Sequence, residues 1–362
     1  MSNSLLNIDI KNLKLPRWLT FGAAADSAGG AVRAKYPPVA MELGVGEITL
    51  VRLVKDKEKK WTLTSYDLVN VPPGLLSNDA FRMQVKSPEQ YKSLLAGALV
   101  KEGVKTNAIS LVVPDHLARV ALLAFEELPR TRREVFEMVR WKMKKAVPFK
   151  VEDAVMDCQV TPGSNGNGNG KGYTVLAVLS PRAAVEEHEA AFQQQGIHPG
   201  LVDLSSFSLL HLYRPVIAAE VPADGDFMLL NATPYYFTVM IHRAGRLIFY
   251  RSKSAAAEDA GPDSEYRMLR REVQASLVYY QEKLAGRQLA RVYMRSVGQD
   301  LPRLASLFEG APLAARPEAI DARRIVKVTG RIAAVGEERA AEILQRLAPA
   351  IGAALGRSGG DA

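Results

Sequence analysis

The chain has one cysteine, Cys158, in 362 residues. A disulfide needs two thiols and a thiolate metal cluster several, so both are excluded within the chain, and the usage suits a reducing compartment. Histidine is scarce: His116, His188, His198, His211 and His242 are scattered without metal-ligand spacing. No apolar run approaches the roughly 20 residues of a membrane-spanning helix. Asp9, Lys11 and Lys14 interrupt the first segment, so no signal-peptide core is expected. Aromatics make up 7% of the residues, and no basic stripe is interleaved with them. Nucleic acid is therefore not expected as a partner despite a net charge of +8. Ser205, Ser206 and Ser208 have no neighbouring base, and no nucleophile elbow surrounds them.

What remains is ordinary for a soluble globular protein, 48% hydrophobic and 24% charged, at a length that suggests two or three domains. Residues 1–37, with Gly29-Gly30 and Pro37-Pro38, read as a flexible leader. Leu13, Leu15, Trp18, Leu19 and Phe21 could dock it on a partner or on lipid. Strands are expected at Val39–Leu43, Glu47–Val54 and Trp61–Asn70, then a helix at Pro88–Leu99 and strands at Ala108–Val113 and Ala118–Phe125. Thr131 and Glu134 have capping-box spacing before a helix that Pro148 stops, with Val135, Val139 and Met143 on one face and basic residues over much of the rest. Strands at Ala154–Thr161 and Tyr173–Leu179 flank the glycine- and asparagine-rich 163–172, read as a flexible hairpin tip because no helix follows Lys171. Helices are expected at Pro181–Gln195 and Ser205–Tyr213, with a short strand at Gly200–Asp203 between them. The polar stretch Pro222–Asp226 marks the domain boundary.

The second half repeats the plan. A hairpin at Phe227–Ile241 and a strand at Arg246–Ser252 precede a long helix at Ser264–Leu284. A strand at Ala290–Arg295 and helices at Asp300–Phe308 and Ala340–Leu355 follow. Three meandering strands followed by helix and strand, occurring twice, imply two lobes of related topology, 38–222 and 223–357, with an inserted subdomain at about 106–196 and a tail at 358–362. Each lobe opens on a hairpin. The first contains Glu42-Leu43-Gly44-Val45-Gly46, the second Asn231-Ala232-Thr233-Pro234.

This layout resembles the PilM family of type IV pilus assembly proteins, within the actin-like ATPase group that also holds FtsA. The segments that carry the resemblance are Arg140-Trp141-Lys142-Met143-Lys144-Lys145-Ala146-Val147-Pro148-Phe149, Glu127-Leu128-Pro129, the Ala154–Val160 strand, Gly196–Asp203 and Arg270–Tyr280. It spans about Val39 to Leu355. The resemblance implies an α/β, two-lobed actin-like fold, a duplicated ribonuclease H-like plan with the inserted subdomain in the first lobe. It implies a cytoplasmic scaffold peripheral to the inner membrane. Its partner would be a PilN-like bitopic membrane protein, whose N-terminal cytoplasmic peptide lies between the first lobe and the inserted subdomain. By position, that groove involves Val112, Val120, Val135, Val139 and Met143.

The resemblance also locates a nucleotide site at Gly44, Val45, Gly46, Thr49, Asn231, Thr233 and Gly298, and the residues there depart from the family pattern. The first hairpin has Glu42 for Asp, no hydroxyls after Gly44, and Thr49 in place of a cation. The second has Asn231, which replaces a carboxylate, while Thr233 disfavours positive φ and Pro234 lacks an N–H. Of a triple-glycine segment only Gly298 survives, and Arg295 and Val297 are expected to crowd the adenine space. ATP hydrolysis is not expected, and no cofactor is required. Weak ATP binding through the Gly44–Gly46 turn stays open. An old nucleotide clamp now used to hold other proteins is the reading. An active ATP-binding switch, a type II secretion platform and an FtsA-like filament former are the alternatives. The basic helix 130–145 also suits an anionic membrane face.

Overall fold

A computed structural model describes residues 37–162, 172–254 and 262–355. The expected leader, the glycine-rich tip and the tail fall almost entirely outside the described residues. In chain order the elements are β1 (Val39–Glu42), β2 (Glu47–Lys55), β3 (Trp61–Asn70), α1 (Pro88–Lys101), β4 (Ala108–Val113), β5 (Arg119–Phe125), α2 (Arg132–Met143), β6 (Ala154–Pro162), β7 (Tyr173–Pro181), α3 (Arg182–Gln193) and β8 (His198–Leu204). There follow α4 (Ser205–Glu220), β9 (Asp226–Ala232), β10 (Tyr236–Arg243), β11 (Arg246–Ser254), α5 (Pro262–Glu282), β12 (Leu289–Ser296), α6 (Leu301–Ala305), β13 (Glu318–Ala319), β14 (Lys327–Val328) and α7 (Glu337–Ala354).

Two mixed sheets carry the lobes. The first has the order β14-β3-β2-β1-β4-β8 and the second β11-β10-β9-β12-β13. In each, an antiparallel meander of three strands continues through a parallel strand that pairs with the first strand of the meander: β4 with β1, and β12 with β9. The period-2 alternation of the strands sorts their side chains into separate cores. On β1, Ala40 faces one core while Val39 and Met41 face another.

The core between the sheets is built on α4 and α7. Leu209, Leu212 and Val216 of α4, with Leu344, Leu347 and Ile351 of α7, meet Val51 and Val112 on one side and Leu229 and Tyr293 on the other. Gly352 lets the two helices close up, because a Cβ there would lie 2.0 Å from the Ser208 carbonyl oxygen. The outer face of the first sheet is covered by α1 and α3, and that of the second by α5 and α6. The inserted subdomain is a three-stranded sheet, β5-β7-β6, with α2 against one face through Val135, Val139 and Met143. Thr131 and Glu134 form the expected reciprocal cap of α2.

Two features depart from the sequence expectation. α4 runs on through Pro215 to Glu220, because its apolar stripe, Leu209 to Ile217, stays buried past the proline. The segment after 320 does not stay with the second sheet. β14 pairs with β3, and α7 rests on α4, β1, β2 and β4. The chain thus returns to the first lobe before it ends, and 223–357 is not a self-contained unit.

Candidate functional site

The hairpins β1–β2 and β9–β10 point their turns at each other across the cleft between the sheets. Glu42 ends β1, and its carboxylate is nearly buried. Arg295, near the end of β12 in the opposite lobe, spans the cleft to it: Nη2 donates to Oε2 at 2.7 Å and Nη1 to Oε1 at 2.9 Å. The pair is bidentate, and the guanidinium side chain is only 4% exposed. Arg295 is held from behind by α7, whose Gln345 and Arg346 carbonyls accept from Nε at 2.8 Å and Nη2 at 3.0 Å. These contacts engage four of the five N–H donors of the fork. The sequence reading placed Arg295 as an obstacle beneath adenine. Instead it reaches across the cleft as the cationic partner of Glu42.

The network extends from this pair. The Ser205 hydroxyl, at the start of α4, donates to Glu42 Oε1 at 2.8 Å and accepts from Arg295 Nη1 at 3.2 Å. Asn231 Oδ1 accepts from Arg295 Nη1 at 3.3 Å. Its Nδ2 lies 3.1 Å from the hydroxyls of Ser205 and Ser206, and 3.4 Å from Asp115 Oδ2 and Tyr236 OH. Asp115, fully buried in the turn after β4, accepts the Ser206 N–H at 3.0 Å and the Ser206 hydroxyl. Burial pushes the Asp115 carboxyl above its ordinary range, and these hydrogen bonds pull it back only in part. Ser208 donates to Asp203 Oδ2 at 2.7 Å, and burial lifts that carboxyl to about 6. The three serines are therefore hydrogen-bond donors to carboxylates. Asp115, Ser205, Ser206, Tyr236 and Gln345 escaped sequence reasoning. The only signal for them was a cluster of hydroxyls opening a helix.

The turns themselves touch. Tyr235 lies on Gly46, so that a Cβ on Gly46 would sit 2.2 Å from the tyrosine oxygen. The Gly46 carbonyl accepts from the Val71 N–H at 3.0 Å. Neither Gly44 nor Gly46 has positive φ. Glycine is needed at 46 for room, not for a left-handed backbone. Thr233 folds its hydroxyl into its own turn, donating to the Tyr236 carbonyl at 2.7 Å and accepting its N–H at 3.0 Å. Gly298 does adopt positive φ, +80°, and Pro234 lies against it, 3.0 Å from where a Cβ would stand. Thr49 faces Glu42 in the β1–β2 register, and its buried hydroxyl has no hydrogen-bond partner. Val45, at the tip of the first turn, is half-buried against the outer core of the first sheet. The structure thus brings Gly46 up to the second turn and Asn231 into the network, and leaves Thr233 and Gly298 packed around Pro234.

The five residues expected along a peptide groove are core residues. Val112 and Val139 have no exposed surface, Val135 and Met143 have 1%, and Val120 has 7%. They were assigned by position in the family resemblance, and their side chains offer a peptide almost no surface. The loop after β3 packs against the inserted subdomain and α3. There Phe81, at φ +63°, meets Phe149 edge-to-face at 5.4 Å, and Glu187 of α3 accepts the Val85 N–H at 3.1 Å. Among the described residues no helix is long and apolar enough to cross a membrane. Nor is any group of three or more His, Cys, Asp or Glu placed to hold a metal ion there.

A family model described as type IV pilus assembly protein PilM matches residues 41–259. No curated protein matches the chain. The solved structure described as the PilM-PilN type IV pilus biogenesis complex is similar over 89% of this chain and 98% of that chain, at 20% identity and a TM-score of 0.71. A Bacteroides thetaiotaomicron protein with an actin-like ATPase fold and unknown function covers 80% and 91% at 7% identity, with a TM-score of 0.46. The cytoplasmic domain of EpsL, an inner membrane component of the type II secretion system of Vibrio cholerae, covers 85% and 94% at 9% identity, with a TM-score of 0.41. The last two are too distant to bear on function. The fold is the two-lobed actin-like fold with an insertion in its first lobe. With more than half of its residues matched, the chain belongs to the type IV pilus assembly protein PilM family.

Proposed function

We propose that this PilM-family protein is a non-catalytic scaffold at the cytoplasmic side of the inner membrane. It holds the N-terminal peptide of a PilN-like membrane protein and does not use its cleft for ATP. The observation that carries this reading is the bidentate Glu42–Arg295 pair across the cleft. A magnesium triphosphate needs carboxylates free to hold the metal's waters and backbone N–H groups free to face phosphate. Here the first carboxylate is neutralised by arginine, the second hairpin offers an amide at Asn231, and the glycine turn is covered by Tyr235. The residues do not fit the group. An ion pair performs the lobe-bridging work that metal and phosphate would otherwise do.

The peptide reading draws support from the strands at the sheet edges. β5 and β6 are the edges of the three-stranded sheet, and β8 is an edge of the first. An extended segment laid along such an edge gains main-chain hydrogen bonds as well as side-chain pockets. The similar solved structure is described as a PilM-PilN complex. Titration of the full chain with Mg-ATP should leave the melting temperature unchanged. A magnesium-dependent rise would favour the ATP-binding switch instead. Pull-down from membranes should recover a small bitopic pilus protein, and recovery of only soluble enzymes would defeat the scaffold reading.

A further inference from the structure

The inserted subdomain carries the most exposed aromatic side chain among the described residues. Trp141, in the last turn of α2, is 80% exposed, while the opposite face of the helix is sealed by Val135, Val139 and Met143. An indole left in water beside a complete core calls for a covering surface. The surroundings say which. Residues 140–150 contain Arg140, Lys142, Lys144, Lys145 and Lys150 and no acid, against a net charge of +8 for the whole chain. Lys144 and Lys145 follow Trp141 by three and four positions, and backbone dihedrals stay helical at Lys144, so all three share a face. Lys142 is turned aside, donating to the Ala124 carbonyl at 2.8 Å, and Lys144 lies 3.4 Å from exposed Glu152. Among the described residues Lys145 and Lys150 form no ion pair.

We propose that this end of α2, centred on Trp141 with Lys144 and Lys145 on the same face and exposed Lys150 following in the chain, docks on a bilayer of anionic lipid. The inference rests on the membrane-side location proposed above and names the surface responsible. An exposed indole with lysines on its face matches the headgroup layer, where the ring enters the interface and long stems carry their ammonium groups to lipid phosphates. Protein interfaces are built otherwise, with lysine depleted around the anchoring aromatic. Single-stranded nucleic acid needs successive stacking platforms, and there is one ring here.

The test is flotation of the full-length chain with protein-free vesicles, either phosphatidylcholine alone or phosphatidylcholine with one-third phosphatidylglycerol. No pilus protein is present, so failure here leaves the peptide-capture reading standing, and failure of the pull-down leaves this result standing. The wild type should float with the anionic vesicles only, and less as salt is raised. Since each lysine near an anionic leaflet contributes about fivefold, Lys145→Ala with Lys150→Ala should weaken binding about 25-fold. Trp141→Ala should weaken it about tenfold through the lost apolar contact. All three positions face solvent, so melting temperatures should not change. Trp141→Phe should abolish the blue shift of tryptophan emission that anionic vesicles induce. Equal flotation with neutral vesicles, or none with either, would overturn the proposal. So would retention of binding by both the lysine and the tryptophan variants, which would assign the contact to another surface. Tighter binding to a mixed-sequence RNA, lost in the same variants, would overturn it in favour of nucleic acid.

Discussion

The two hairpins that face each other across the cleft share one strand–turn–strand plan and carry opposite things in their turns. The first has two glycines and an acid, with Thr49 opposite Glu42 and its buried hydroxyl without a partner. The second has an amide and bulk, with Pro234 against Gly298 and Tyr235 against Gly46. Each turn makes sense only beside the other. The space that glycine leaves in one turn is filled by tyrosine from the other, and the charge at Glu42 is matched by Arg295 of the strand beside the second hairpin. The two turns are complementary to each other in both shape and charge.

The largest effect expected is on the ion pair. Arg295→Ala strands Glu42 in a buried site and should cost about 3–5 kcal/mol in urea unfolding. The double variant Glu42→Leu, Arg295→Met should recover most of the loss, because an apolar pair of similar volume needs no charge compensation. If the double variant is as unstable as the single, the network has some other source of strength than this pair. Next in size is Asn231→Asp, which restores an acid to the second hairpin. It turns a donor near Asp115 into a second carboxylate, 3.4 Å away, and should cost about 2–3 kcal/mol at pH 8. Arg295 already has its charge engaged by Glu42 and offsets little of this. The deficit should shrink at pH 5, where the pair can share protons. An unchanged or raised stability at pH 8 would mean that the second hairpin tolerates a carboxylate beside Asp115.

Gly46→Ala tests the contact between the turns. A methyl 2.2 Å from the Tyr235 oxygen must displace the tyrosine ring and break the contact between the turns, at about 1–2 kcal/mol. The cost should vanish in a Tyr235→Ala background. If it persists there, the glycine is retained for something other than the tyrosine.

How much of this was legible in the sequence follows from the range of the interaction that sets each feature. The β1–β2 and β9–β10 hairpins and the Thr131–Glu134 cap rest on residues within a turn or two of each other, and periodicity exposes them. The two-residue strands β13 and β14 have no pattern of their own and exist only through distant partners such as Thr62 and Tyr293. The pairing of Glu42 with Arg295 spans 253 positions. Sequence reading found both residues but, with no distance between them, gave one to a lost metal site and the other to a blocked base. Val112, Val120 and Val139 were placed at a groove by resemblance alone, and only the fold shows how deeply their side chains are buried.

The smallest expected effect concerns His116, which stands between the lobes in the turn after β4 with its ring 5.3 Å from that of Tyr236. Neither ring nitrogen has a hydrogen-bond partner, and burial holds its pKa down at about 4. An unfolded histidine titrates near 6.5. Below that pH the unfolded chain takes up a proton that the native site refuses, so the stability His116 contributes is complete above about 6.5 and drains away toward pH 4. His116→Phe keeps the ring against Tyr236 and removes the titration. It should leave stability at pH 7.5 nearly unchanged and raise it by about 1.4 kcal/mol relative to wild type at pH 5.5. His188 and His242, each also near 4, add slopes of the same sign, whereas Asp203 near 6 works against them as acid is added. Unfolding curves of wild type and variant at the two pH values isolate the single site. Equal differences at both would mean that the space between the lobes admits water or a proton at His116, and that the cleft is less tightly closed than the contacts of Glu42 and Gly46 require.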